Sequence, residues 1–380
     1  MLLDNHNLRL ALKLIPNNYL DSSGKIKEES KYKINIPELK IKDSKFIPNP
    51  GDKFETMLFL PPNSNRIAEG GLRTKGLFKF SYKKVRSEML EVRNDLEKKN
   101  KNINESGDVW YICDFYGNPL IPVPSSHLSL LTSHLSLLTS SLLTSFPLIT
   151  VITVVYNGAK YLEDTIKSVI NQTYPNVEYI IIDGGSTDGT IDIIKKYEDY
   201  IDYWVSEPDK GIYDAMNKGW SLANDDSRIL FLGVGDMVKS FPLTKELEDY
   251  SDYVIYGKVE LANSVFKSKH GWRLKLGNTL HHQGLLVPKK FHRLPPFNIK
   301  YPIYADYDFN LRLYKSKVKF HYSDYFIGYA MPGGISKQLK VLEMSSISFR
   351  NFGIFWGILS FSYSSYQYLK IKLRSLFNIK

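Results

Sequence analysis

Four apolar runs, the first three each followed by a helical pattern, organise the middle of the chain. LITVITVV (148–155) is rich in β-branched residues and reads as a parallel strand buried on both faces. AKYLEDTIKSVINQ follows, with Leu162, Ile166, Val169 and Ile170 on one helical face. VEYIIID (177–183) is the second strand, and the helix after it, opening at Asp188, buries Ile191, Ile194 and Tyr197. YWVS (203–206) is the third strand. GIYDAMNKGWSLA (211–223) is a helix burying Ile212, Ala215, Met216 and Gly219, and RILFLG (228–233) is the fourth strand. Repeated strand–helix units imply an α/β fold with a doubly wound parallel sheet, whose ligands sit at the carboxyl ends of the strands.

The flanks lack this grammar. Residues 1–120 are polar and Lys-rich, with turn formers at NPGD (49–52), PPN (61–63) and EGG (69–71), and read as an accessory region with a solvated helix within 83–105. In the linker at 121–146, HLSLLTS recurs unchanged at 127–133 and 134–140. The repeat reads as an in-frame duplication or as a short amphipathic helix, and its hydroxylated residues argue against a membrane span. The strand–helix domain then covers 147–340, and 341–380 form a tail. Within that tail, 351–369 contain no charged residue and are rich in Phe, Tyr and Trp, before Lys370, Lys372 and Arg374. That pattern suits an interfacial helix on an anionic membrane surface, and equally a C-terminal helix packed on the domain.

Charge sharpens this division. The net +10 resolves into 21 basic and 16 acidic side chains over 1–146, 10 and 20 over 147–260, and 19 and 4 over 261–380. The acidic middle argues against nucleic acid as the partner, although the average is basic. Cys113 is the single cysteine, which excludes an internal disulfide and a multi-Cys zinc site and fits a reducing compartment. Asp4, Arg9 and Lys13 interrupt the first twenty residues, so no secretion signal is expected there and a cytoplasmic catalytic unit is.

Polar residues gather at the four strand ends: VYNG (155–158), DGGSTDGT (183–190), SEPDKG (206–211) and GVGD (233–236). DGGSTDGT is either a Gly-rich turn capped by Asp188 or a loop whose glycines let backbone approach a ligand, with Asp183 accepting hydrogen bonds from it. Asp214, Asn217 and Lys218 share one helix face, either solvated or turned with Lys210 toward phosphate oxygens. Asp236 reads as a turn residue or as a carboxylate holding Mg²⁺ or Mn²⁺ against a diphosphate. Neither GxGxxG nor GxxxxGK[ST] occurs in these loops.

The ordered runs VITVVYNG, DGGSTDGT, SEPDKGIYDAMNKG and FLGVGD resemble the nucleotide-sugar half of family 2 inverting glycosyltransferases of bacterial polysaccharide assembly, over about 147–335. The resemblance implies a GT-A fold, a Rossmann-like mixed sheet flanked by helices. By it, Tyr156, Asn157 and Asp183 would hold base and ribose, and Gly185, Ser186 and Gly235 would lie near the nucleotide. Asp236 would be the metal aspartate, in a GVGD that lacks the family's second carboxylate. LHHQGLLV (280–287) and YADYDFNLRL (304–313) resemble the acceptor half. Asp306 then takes the general-base position, and His282 and Gln283, with Gly334 and Ser336 of GGIS (333–336), contact acceptor or diphosphate. Without the motif, Asp306 would read as a first-turn carboxylate and His282 as a packed core histidine. The implied partners are a nucleotide-sugar donor and a saccharide or polyprenyl-linked acceptor. The competing reading is a degenerate donor-binding scaffold, and a glycosidase is disfavoured because it has no use for a nucleotide pocket.

Overall fold

The computed structural model describes residues 57–79, 146–292, 295–333 and 340–376, with short strands at 13–16, 45–46, 109–113 and 119–124. The chain divides into two compact units, one of residues 1–53 and 79–145, the other of 54–78 and 146–380. In the first, Lys13–Pro16, Val109–Cys113 and Pro119–Pro124 form a three-stranded antiparallel sheet. The helix expected within 83–105 and the HLSLLTS repeat lie outside the described residues.

The second unit is built on a ten-stranded mixed sheet. Its strands and helices run β1 (Ala68–Gly70), β2 (Ile149–Val155), α1 (Ala159–Ile170), β3 (Val177–Asp183), α2 (Thr190–Lys196), β4 (Tyr203–Ser206), α3 (Ile212–Leu222) and β5 (Arg228–Gly233). The remainder are β6 (Met237–Ser240), α4 (Thr244–Asp249), β7 (Tyr253–Leu261), β8 (Ser264–Lys267), β9 (Leu285–Pro288), α5 (Ala305–Lys315), β10 (Lys319–Tyr329), α6 (Val341–Phe352) and α7 (Ile354–Leu376). The strand order is β6-β10-β7-β9-β5-β2-β3-β4-β1, with β8 paired on β7. Strands β5, β2, β3 and β4 are mutually parallel, as their apolar runs predict. Strand β9 is antiparallel to both β5 and β7, and so joins that half to a mixed one.

Every residue of β2 is buried, because helices cover both faces of the sheet. Ile152, Val154, Ile180 and Ile182 pack with Ala215 and Met216 of α3 on one face, while Val151, Ile181 and Leu230 pack with Leu162 and Ile166 of α1 on the other. Each fully buried Ile or Leu contributes roughly 1.5–3 kcal/mol. Gly219 lets α3 settle onto β2, since a Cβ there would lie 2.4 Å from Ile152 Cγ2. Helix α2 begins at Thr190 rather than Asp188, because Asp188 Oδ1 accepts the Thr190 N–H (3.1 Å) and holds the preceding turn out of the helix.

The unit also takes in a segment from far upstream. Strand β1, within the EGG that reads as a turn, adds antiparallel to β4 at the sheet edge. Arg73 then enters the fold and pairs with Glu178 at 2.7 Å, both side chains fully buried, while donating to the carbonyls of Leu58 (2.8 Å) and Leu222 (3.1 Å). At the other end, α7 lays Gly357, Ser360 and Ser364 against the domain, Ser360 donating to the Leu276 carbonyl (2.9 Å). Its opposite face exposes Ile354, Phe355, Ile358, Phe361 and Tyr366. Among the described residues no helix is long and apolar enough to cross a membrane.

Candidate active site

The loops after β2 and β3 are laced together by their own polar side chains. Asp183, at the end of β3, is 0% exposed and accepts hydrogen bonds from the N–H groups of Gly185 (3.1 Å) and Ser186 (2.9 Å) and from the hydroxyls of Ser206 (2.6 Å) and Ser186. Asn157 adopts a left-handed φ of 50° and receives the Thr187 N–H on its side-chain oxygen (2.9 Å). Its own N–H donates to Ser186 Oγ (2.7 Å). Asp188 reaches back to the Ala159 N–H at the start of α1 (3.1 Å). Asp183, Asn157, Ser186 and Asp188 therefore shape the crevice, and what faces outward is Tyr156 (65% exposed) beside the Gly184–Gly185 backbone.

Asp209, which the sequence did not single out, stands at that glycine pair. A Cβ on Gly184 would lie 2.5 Å from Asp209 Oδ2 and 3.4 Å from the Tyr156 ring. Burial raises the Asp209 carboxyl above its ordinary range, opposed by its hydrogen bond from the Gly211 N–H (2.8 Å). The polar face of α3 is largely engaged within the protein. Asp214 accepts the Lys210 N–H (3.0 Å), Asn217 bonds both the N–H (2.9 Å) and the carbonyl (2.8 Å) of Phe297, and Lys218 binds Glu207 (2.8 Å) and the Pro208 carbonyl (2.9 Å). The Lys210 side chain is exposed.

The second cluster forms where the parallel and mixed halves of the sheet meet. Asp236 follows β5 and Gly235, whose N–H donates to Thr165 (2.8 Å). Its carboxylate accepts from Gly233 N–H (3.0 Å), Met331 N–H (3.0 Å) and Gln283 Nε2 (2.9 Å). Asp306, in the first turn of α5, accepts from Asn278 Nδ2 (3.0 Å) and shares the Tyr213 hydroxyl (3.0 Å) with the Ile303 carbonyl (2.7 Å). Between the two lies His282, with Nε2 3.8 Å from Asp236 Oδ2 and Nδ1 3.7 Å from Asp306 Oδ2. Burial works against charge on this imidazole, but the flanking carboxylates prevail and raise it to about 9. Six residues from α3, the β5–β6 turn, the loop before β9 and α5 thus converge at one point.

The structure brings Asp236, His282, Gln283 and Asp306 together and sets Tyr156, Asn157, Asp183, Gly185 and Ser186 in the neighbouring strand-end loops. Gly334 and Ser336 lie outside the described residues. Sequence reasoning missed Tyr213 and Asn278, the two side chains that hold Asp306. Tyr213 has a signal in retrospect, since Tyr213, Met216 and Trp220 repeat at helical spacing and place a phenol within an apolar stripe. Among the described residues no three His, Cys, Asp or Glu side chains form a metal cage. His282 Nε2 and Gln283 Oε1 are nevertheless buried without a hydrogen bond, beside the Asp236 carboxylate. A hard carboxylate oxygen next to an unsatisfied amide oxygen fits a divalent ion that draws its other ligands from phosphate and water.

Residues 150–282 match the family model described as Glycosyl transferase family 2. Over those residues the chain is similar to that family. A PGL/p-HBAD biosynthesis glycosyltransferase of Mycobacterium tuberculosis is 29% identical over 182 residues, covering 45% of this chain and 71% of that one. TuaG of Bacillus subtilis, named for teichuronic acid biosynthesis, is 41% identical over 105 residues, or 27% of this chain and 41% of its own length. The fold also aligns with Staphylococcus aureus TarS, at 16% identity and a TM-score of 0.42, over 53% of this chain and 38% of TarS. The chain therefore spans less than half of TuaG and of TarS.

Proposed function

We propose that this glycosyltransferase moves a sugar from a nucleoside-diphosphate donor to a saccharide or polyprenyl-linked acceptor with inversion, in the assembly of a bacterial surface polysaccharide or glycolipid. The observation that carries the reading is the convergence of Asp236 and Asp306, from two different halves of the sheet, on His282. A transfer site needs one carboxylate at the diphosphate and another at the acceptor hydroxyl, and the strand-end loops supply a nucleotide crevice beside them. The biosynthetic names of the mycobacterial relative and of TuaG support the choice of product class.

Asp306 is the base. Its carboxylate takes the proton of the acceptor hydroxyl as that oxygen attacks the anomeric carbon from the face opposite the diphosphate. The new C–O bond forms as the bond to the leaving nucleoside diphosphate breaks, so configuration inverts. Tyr213 and Asn278 hold the carboxylate in place from two directions. His282, charged between the two carboxylates, offsets like-charge repulsion and lies toward the departing phosphate. Asp236, with the oxygen of Gln283, would hold Mg²⁺ or Mn²⁺, which when bound supplies positive charge to the leaving diphosphate.

Replacing Asp306 with Asn tests the reading directly. The expected loss in kcat is about 10²–10⁴-fold, with donor affinity retained, and undiminished turnover would remove Asp306 from the mechanism. Full activity in excess EDTA would discard the metal on Asp236. An intact domain that binds donor but neither transfers nor hydrolyses it would be the degenerate scaffold. The exposed apolar face of α7, next to exposed Lys370 and Lys372, rests by this proposal on an anionic membrane surface. Changing Phe355, Ile358 and Phe361 together to Ser should abolish flotation with anionic vesicles, and unchanged flotation counts against it.

A further inference from the structure

The upstream segment does more than close the edge of the sheet. Ile67 precedes β1 and donates its N–H to the Ser206 carbonyl (2.8 Å), so its backbone is fixed at the carboxyl end of β4. Its neighbour Arg66 is latched to Glu207 (3.1 Å), to Glu69 (2.9 Å) and to the Pro61 carbonyl (2.7 Å). Glu207 is held from its other oxygen by Lys218 (2.8 Å), so the segment and the loop carrying Pro208 and Asp209 are tied to each other. On this anchored frame the Ile67 side chain is 55% exposed, although it is aliphatic.

What Ile67 stands beside gives that exposure a use. A Cβ on Gly185 would lie 3.4 Å from Ile67 Cδ1 and 3.6 Å from the Pro208 nitrogen. The adjoining Gly184 borders the Tyr156 ring and the Asp209 carboxylate. Two consecutive residues without side chains are therefore bordered by an aromatic ring, a carboxylate and an aliphatic group, at strand ends where ligands of such sheets bind. A planar heterocycle matches all three, with a face for the ring, an N–H edge for the carboxylate, and apolar surface for the isoleucine.

We infer that Ile67, contributed from upstream of the family-matched region, is a wall of the donor's nucleobase subsite and takes part in selecting the base. This rests on the nucleotide-sugar reading above. The segment has no chemistry of its own, and its role is the shape of the slot.

The test uses the full chain and five probes, the diphosphates of uridine, guanosine, cytidine, adenosine and thymidine, titrated calorimetrically in the presence of Mg²⁺. For Ile67→Ala, the preferred nucleotide should bind roughly tenfold more weakly, the scale for removing methylenes from an apolar wall. The ranking of the five should narrow, while acceptor KM and melting temperature stay at wild-type values. Ile67→Leu should restore affinity, which a purely structural role at an exposed position would not require. Wild-type ranking and affinity in Ile67→Ala would overturn the subsite assignment while leaving the transferase reading intact. A wild-type chain that bound none of the five would overturn both.

Discussion

The two halves of the sheet use their acidic side chains differently. In the parallel half, Asp183 is enclosed by four donors at 0% exposure, and Glu178 receives Arg73, the Thr150 hydroxyl (2.7 Å) and the Asn224 N–H (3.4 Å). Where the mixed half joins it, the Asp306 side chain is held by two donors and remains 14% exposed, facing an imidazole beyond hydrogen-bond distance. A carboxylate whose lone pairs are filled by the fold stabilises it, whereas one with a single donor on each oxygen keeps a lone pair on each for substrate. Carboxylate chemistry in this protein is therefore expected in the second group, and the first should respond to mutation through stability.

The largest break in that contrast comes from Arg73→Met, which strands the buried Glu178 charge and should cost about 3–5 kcal/mol in urea unfolding. The double variant Arg73→Met/Glu178→Leu should recover most of it, and a loss confined to turnover would contradict the comparison. Asp183→Ala should follow at about 2–3 kcal/mol, because several donors lose a charged acceptor. Asp306→Asn, by contrast, should melt near the wild-type temperature.

A subtler effect concerns His292, which stacks on Trp220 and touches Phe309 in the core. Burial depresses its imidazole to about 3, from an ordinary 6.5. Between those values the unfolded chain carries a proton that the folded chain refuses, so stability falls as pH drops below 6.5, by up to about 1.4 kcal/mol per unit. Unfolding at pH 7.5, 6.5 and 5.5 should show that slope, and His292→Phe should flatten it. The smallest expected change is in Tyr213→Phe, which deletes one donor to Asp306 and should lower kcat about three- to tenfold with little effect on donor KM. An unchanged kcat would mean that Asn278 alone positions the base.

The parallel half was legible because burial on both faces leaves continuous β-branched runs, and β3, β4 and β5 begin and end at the expected residues. Ala215, Met216 and Gly219 of α3 are buried as their spacing implies. Strand β1 was not legible. Three residues containing a glycine carry no periodicity, and its pairing is decided by Arg66 and Arg73 finding Glu207 and Glu178 far along the chain. The residues around Asp306 were half legible. The motif marks the aspartate, but its partners Tyr213 and Asn278 lie 93 and 28 positions away and meet it only through tertiary packing.

Strand β1 also bears on how such a protein can be handled at the bench. Expressing only the stretch from residue 147 onward, the boundary that motif matching suggests, would strip β4 of its neighbour and present an unpaired ladder beside Trp204. Bare strand edges of this kind recruit one another between molecules. The same cut would leave a buried carboxylate at Glu178 without its guanidinium. Poor solubility of that fragment would report a misplaced boundary rather than an unstable enzyme, and a soluble minimal piece has to carry residues 57–78 in cis or as an added peptide.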